Sequence, residues 1–264
     1  MTVEPQAMTG METTAAGSTE LWLVDLARAA PALERQERET PRLGACDRAA
    51  LAAPGPIEVR QQRWLAHLAL RLVLERHLGR LVRGQDLVRP QGDKPRLGGR
   101  SAWLDFSLAH AGGQALIGVT RDGAIGVDLE EVRPVRIAQI RRRDILAAGA
   151  ALIPSAPITQ LSEEAAFMRA WVRLEALAKA RGAGLARTLT ALGLRQATPS
   201  DVSQVAAGVA RHLDLAGLRL HDLALAPGRV GAVALDRTLA LPPLSTFPIE
   251  AGGIAALLRT PVAG

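Results

Sequence analysis

At 264 residues and 48% hydrophobic side chains, the chain can bury a substantial core as one large domain or as two lobes. One cysteine, Cys46, excludes an internal disulfide framework, no apolar run has the length to cross a bilayer, and the N-terminus lacks a basic-then-apolar signal, so a cytoplasmic monomer is expected. The net charge of +6, carried by arginine because lysine is almost absent, selects a negatively charged partner. With only 3% aromatic residues, no tyrosine and no DNA-reading motif, a nucleic-acid partner is the second choice, behind a phosphorylated cofactor and an acidic protein.

Residues 1–18 are small and polar, without periodicity, and read as a disordered leader in which Met8 and Met11 offer later starts. Glu20 to Leu26 is apolar through its middle and predicts a strand, followed by an Arg- and Glu-rich helix reaching Leu43. In 60–78, Trp64, Leu65, Leu68, Leu72 and Leu78 recur at helical spacing, and the pattern predicts that Arg60, Arg63, Arg71 and Arg76 stay in solvent. The run QGDKPRLGG around Lys94 predicts a loop. Trp103 to Ala109 and Gln114 to Thr120 predict two adjacent strands joined by a turn over His110, Ala111, Gly112 and Gly113. The stretch 113–122 is echoed by 228–237, since both are glycine-led apolar runs ending in Asp and Arg; the echo predicts two similar α/β lobes. Arg133, Arg136, Arg141, Arg142 and Arg143 predict an exposed basic helix over 133–148, which is either a solubilising face or a docking surface. From Leu241 the chain is rich in proline and glycine and predicts a tail that wraps the second lobe or trails free.

Two stretches carry candidate chemistry. In Gly126-Val127-Asp128-Leu129-Glu130 the acids are two apart, which on a strand places them side by side on one face. Paired carboxylates suit a hard cation such as Mg²⁺, and the plainer alternative is a solvated strand end. The segment from Ser162 through Arg181 predicts a helix with Ser162 as N-cap, Glu163 and Glu164 in the first turn, and Gly182 as its stop. On it Trp171, Glu175 and Lys179 fall on one stripe, an acid and a base one turn apart, which by itself also describes an ordinary surface pair.

G-V-D-L-E followed by W-V-R-L-E-A-L-A-K-A-R-G-A-G-L resembles the paired signature of the 4′-phosphopantetheinyl transferases, specifically the long Sfp-type class. Gly92-Asp93-Lys94-Pro95 and Phe106-Ser107-Leu108-Ala109-His110-Ala111 resemble two further stations of that family, in the same order. The resemblance covers roughly residues 20 to 240. It implies an α+β fold of two lobes related by a pseudo-twofold with the active site between them, divided as 1–18 leader, 19–127 N-terminal lobe, 128–240 C-terminal lobe and 241–264 tail. It further implies Mg²⁺ held by Asp128, Glu130 and Glu175, and Glu175 and Lys179 as catalytic residues. Coenzyme A would be contacted by Arg63, Arg71, Lys94, His110 and Lys179, with an acidic acyl or peptidyl carrier protein as acceptor.

Three positions depart from the family pattern. Ser107 stands for an asparagine, Ala109 for a serine, and Leu174 for the lysine that precedes the glutamate. A catalytically weak homologue that binds coenzyme A or a carrier is therefore the alternative to an active transferase. Because Glu175 must border the cleft, its neighbour Leu174 is expected to tolerate replacement by lysine, while Arg173 would reach the site only by bending back around the helix.

Overall fold

The computed structural model describes residues 19–89, 94–156, 158, 161–194 and 202–260; the expected leader and the Gly92-Asp93 pair lie outside them. Strand β1 (Thr19–Asp25) leads into helix α1 (Leu26–Glu39), whose N-cap Asp25 accepts the N–H of Arg28 at 3.0 Å. Helices α2 (Ala45–Leu51) and α3 (Ile57–Leu78) follow, and then strands β2 (Asp105–Ala111) and β3 (Gln114–Thr120). The β2–β3 turn is Gly112-Gly113, both at positive φ (55° and 74°), the conformation a two-residue hairpin requires. His110 therefore belongs to β2 rather than to the turn.

Strand β4 (Ile125–Glu131) opens a second group, with helices α4 (Gln139–Leu152), α5 (Glu163–Ala180), α6 (Leu185–Ala191) and α7 (Val202–Ala216), then strands β5 (Leu218–Asp222) and β6 (Arg229–Asp236). One sheet has the order β2-β3-β1-β7, where β7 is Leu244–Thr246, and the other β4-β6-β5. In each, a first strand is followed by helices and then by an antiparallel pair whose second member returns beside that first strand. The sequence echo falls on β3 and β6, the strands that make this return.

The two-residue period distributes the core. Along β3, Ala115, Ile117 and Val119 pack under the first group's helices while Leu116 faces the second sheet; along β6, Val230, Ala232 and Ala234 pack under α4, α5 and α7 while Val233 and Leu235 face the first. Leu21, Ala109, Leu116, Val127, Leu129 and Val233 form the apolar layer between the sheets.

Three expectations are corrected. The division at 127/128 would cut β4, whose pairing to β6 runs without interruption from Ile125 to Glu131; the chain passes between sheets at residues 121–124. The tail does not wrap the second lobe, because β7 (Leu244–Thr246) pairs parallel to β1 and α8 (Ala251–Arg259) packs on α1 and α3, with Ile254 and Leu257 in the first core. Helix α3 is not half-solvated, since every residue from Leu65 to Glu75 is buried.

Helix α5 obeys its expected limits. Ser162 accepts the Ala165 N–H at 3.3 Å, and Gly182 at φ +66° ends the helix with Gly182 N–H to Lys179 C=O and Ala183 N–H to Ala178 C=O. Its packing on β4 depends on Gly126, where a Cβ would overlap the carbonyl oxygen of Ala176 and the backbone nitrogen of Ala180. Both atoms belong to a helix backbone and cannot turn aside. Gly126→Ala is expected to destabilise the protein by about 3 kcal/mol, the upper end of overpacking costs, read as a fall in melting temperature of at least about 5 °C in a circular-dichroism melt.

Candidate active site

A cavity of about 620 Å³ lies between α3, β2 and the C-terminal half of α5. Arg63 and His67 enter from α3, Ser107 and His110 from β2, and Glu175 and Lys179 from α5, with Lys94 between them. The cavity thus draws on elements packed around both sheets.

Behind Lys179 stands the acid pair of β4. Because Gly126, Asp128 and Glu130 share one face of the strand, the close approach at Gly126 brings α5 directly over the two acids. Lys179 Nζ donates to Asp128 Oδ1 at 2.7 Å and to the Val127 carbonyl at 3.1 Å. Asp128 Oδ2 is buried without a hydrogen-bond partner. Desolvation drives the Asp128 carboxyl upward against the pull of Lys179, and desolvation with the neighbouring Asp128 charge raises Glu130 as well. Burial, then the charge of Asp128, pushes Glu175 up to about 7. Three mutually repelling acids around an orphaned oxygen are a hard-oxygen donor set suited to a divalent cation. As they stand, no three His, Cys, Asp or Glu side chains among the described residues surround one point, and of the three acids only Glu175 lines the cavity.

The remaining expected residues divide. Lys94 is buried on the cavity wall, with its ammonium committed to Asp105 Oδ2 and the Ile125 carbonyl, each at 2.6 Å. His110 lines the cavity and is held neutral, its pKa lowered to about 4 by burial and then by the charges of His67, Arg63 and Lys179. Arg71 is corrected: it is fully buried beneath the cavity and bound to Asp47, with no face toward a cofactor. Ser107, in the asparagine position, accepts the Val127 N–H at 3.0 Å, and the Ala109 side chain lies in the layer between the sheets.

The expectation for Leu174 is also corrected. Its side chain is wholly buried in the core between α5 and its neighbouring helices, because one residue along a helix turns about 100° and the face beside the cleft face is the packed one. Arg173 is no substitute for the missing lysine: it too is fully buried, held by Asp222 at 2.9 and 2.6 Å and by the carbonyls of Gly149 and Ala156. The basic stretch after β4 is mixed, since Arg142 is buried with its guanidinium 4.8 Å above the Phe167 ring while Arg143 is exposed.

His67 and Asp47 were not singled out from sequence. His67 sits one turn from Arg63 on the same face of α3, which could have nominated it, but nothing local marks Asp47 as its partner.

Residues 124–225, which run from β4 through β5, match the model of the 4′-phosphopantetheinyl transferase superfamily. The chain is similar to the 4′-phosphopantetheinyl transferases AcpT of Salmonella typhi and Salmonella typhimurium, at 33% identity over 136 residues in each case. Those alignments cover 50% of this chain and 65% of the relative. The Synechocystis protein slr0495, named for the same activity, is 33% identical over 147 residues, 53% of this chain and 56% of its own. The chain therefore spans less than two thirds of the curated relatives it matches. Among the described residues no helix is long and apolar enough to cross a membrane.

With Leu174 in the core, Leu174→Lys is expected to cost about 3 kcal/mol or more through an unpaired buried charge. A melting temperature within a degree of the parent's would show that the side chain reaches solvent or phosphate instead.

Proposed function

We propose that the chain is a 4′-phosphopantetheinyl transferase of the Sfp-type, two-lobed class, acting on coenzyme A and an acyl or peptidyl carrier protein. The observation that carries this reading is the convergence in one cleft of Glu175, backed by Asp128 and Glu130, with the cations Lys179 and Arg63. A pyrophosphate needs the cations, and a hydroxyl nucleophile needs a carboxylate that can take its proton. The shared connectivity of the two sheets supports the pseudo-twofold arrangement of lobes.

On this reading the serine oxygen of the carrier attacks the β-phosphorus of coenzyme A. The bond from that phosphorus to the bridging oxygen breaks, the serine proton passes to Glu175, and 3′,5′-ADP leaves. Lys179 has one N–H beyond those given to Asp128 and Val127, and that donor meets the phosphate side of the cleft. Mg²⁺ would be held by Asp128, Glu130 and Glu175 and would supply neutralisation of charge building on the phosphate oxygens. Exposed arginines such as Arg143 offer the acidic carrier a surface of opposite charge.

Purified protein incubated with apo-carrier, coenzyme A and Mg²⁺ is expected to add one phosphopantetheine mass to the carrier. Asp128→Ala is expected to lower the loading rate at least about a hundredfold, as loss of a group that stabilises transition-state charge does, with the melting temperature nearly unchanged. Equal rates for variant and parent would remove the acid pair from the site. A parent that binds coenzyme A yet loads no carrier would replace this reading with the binding-only homologue.

A further inference from the structure

Both lysines of the chain line the cleft, but they are held in different ways. At the two ends of the β4–β6 pairing, Asp236 N–H donates to the Ala124 carbonyl and Val132 N–H to the Gly228 carbonyl. In an antiparallel pair these bonds recur at every second residue, so the even residues of β4 bond to β6 and the odd ones turn their backbone groups to the outer edge. At Ile125 both groups are met by one side-chain pair: Asp105 Oδ2 accepts the N–H at 2.9 Å, and Lys94 Nζ donates to the carbonyl at 2.6 Å. The same Nζ donates to Asp105 Oδ2 at 2.6 Å, which closes a bracket between the first residue of β2 and the first residue of β4. Two residues on, Ser107 Oγ and Lys179 Nζ repeat the pattern on the Val127 N–H and carbonyl, at 3.0 and 3.1 Å. The Lys94 side chain is 5% exposed against 26% for Lys179, so of the two only Lys179 offers its ammonium to an incoming group.

We propose that Lys94, fixed by Asp105, is a positioning residue that sets β4, and with it Asp128 and Glu130, against the β2 wall of the cleft. That the positioned acids serve a transfer reaction rests on the transferase reading. Where the resemblance implies a contact to coenzyme A, the geometry commits this ammonium to the strand. Asp128 lies three residues beyond Ile125, about 10 Å along a strand, and no strand pairs with β4 on this edge. The brackets at Ile125 and Val127 therefore fix its spacing from β2, and so the distance from its acids to Ser107 and His110 across the cleft. Asp105 is the informative partner, because it does not line the cavity and can act on the cleft only through Lys94 and Ile125.

The test compares Lys94→Met, Asp105→Asn and the double variant with the parent, each at a temperature at which circular dichroism shows it folded. Three quantities are read: kcat for carrier loading at saturating coenzyme A and Mg²⁺, the calorimetric Kd for coenzyme A, and hydrogen exchange at the Ile125 amide. Each single variant is expected to lower kcat about ten- to a hundredfold, the effect of a small misplacement of reacting groups. Each is expected to leave the Kd for coenzyme A within about twofold of the parent's and to speed exchange at Ile125. Because the two residues act as one unit, the double variant is expected to match the slower single variant instead of multiplying the two effects. A Kd raised about tenfold in Lys94→Met, with Asp105→Asn like the parent, overturns the proposal, makes Lys94 a ligand and leaves the transferase reading standing. A lowered melting temperature with kcat unchanged overturns it too, since the pair is then structural alone. If Lys94→Met does not fold, Asp105→Asn decides by the same split of kcat against Kd. A parent that loads no carrier overturns the transferase reading and the positioning role with it.

Discussion

The structure depends on how the outer edge of β4 is closed. One edge of that strand pairs with β6, and the other faces β2 across the junction of the two sheets. Its backbone groups there meet side chains in place of a neighbouring strand: Ile125 N–H donates to Asp105 Oδ2 at 2.9 Å and Val127 N–H to Ser107 Oγ, while the Ile125 and Val127 carbonyls accept from Lys94 and Lys179. Buried backbone groups left unpaired would each cost about 1–3 kcal/mol, so these four contacts are conditions for the sheets to meet at all. The chain has two lysines, and both are spent at this junction. A long flexible amine can reach a carbonyl deep between layers while its stem packs on apolar walls, which a planar guanidinium does less readily.

That junction also explains the electrostatics of the cleft. Closing β4 with Lys179 puts an ammonium on Asp128, and the steric permission of Gly126 puts Glu175 near the same acid. The sheets could not approach without desolvating these groups, and the desolvation pushes Glu175, Asp128 and Glu130 upward together. Architecture and site chemistry share one cause. The opposite wall is built by another route: the Arg71–Asp47 pair is a buried ion pair whose carboxylate also meets the Gly44 N–H and His67, and it presents a histidine rather than a carboxylate.

Much of the fold was legible in the sequence where a local rule governs. The helix of Glu175 ran from its serine cap to its glycine stop, a hairpin at the glycine pair followed from turn chemistry although the turn was read two residues too long, and the 113–122 echo marked the equivalent strands of two sheets. That Asp128 and Glu130 share a strand face, and Glu175 and Lys179 a helix stripe, was legible because strand and helix periodicities place them so. What failed was long-range pairing. Arg71 looks like a solvent-facing arginine until Asp47, 24 residues earlier, is known to bind it. Arg173 is neutralised by Asp222, 49 residues later, and Leu174 beside it is apolar because its face of α5 is the packed face. Where a chain uses arginine as its principal cation, counting arginines on a helix says little about which of them reach solvent.

The strand at Leu244–Thr246 lies beside β1, the first strand of the described chain, and α8 covers the helices that follow it. During synthesis the first sheet therefore waits with an open edge while everything from β4 through β6 is made and folds. An unpaired strand edge is a template for wrong partners. The second group of elements, whose pairings among β4, β5 and β6 are internal to residues 125–236, can form before that edge is covered. A late segment of the described chain thus completes an early one, and a stop codon between residues 237 and 243 would leave an intact cleft-forming helix attached to an unfinished sheet.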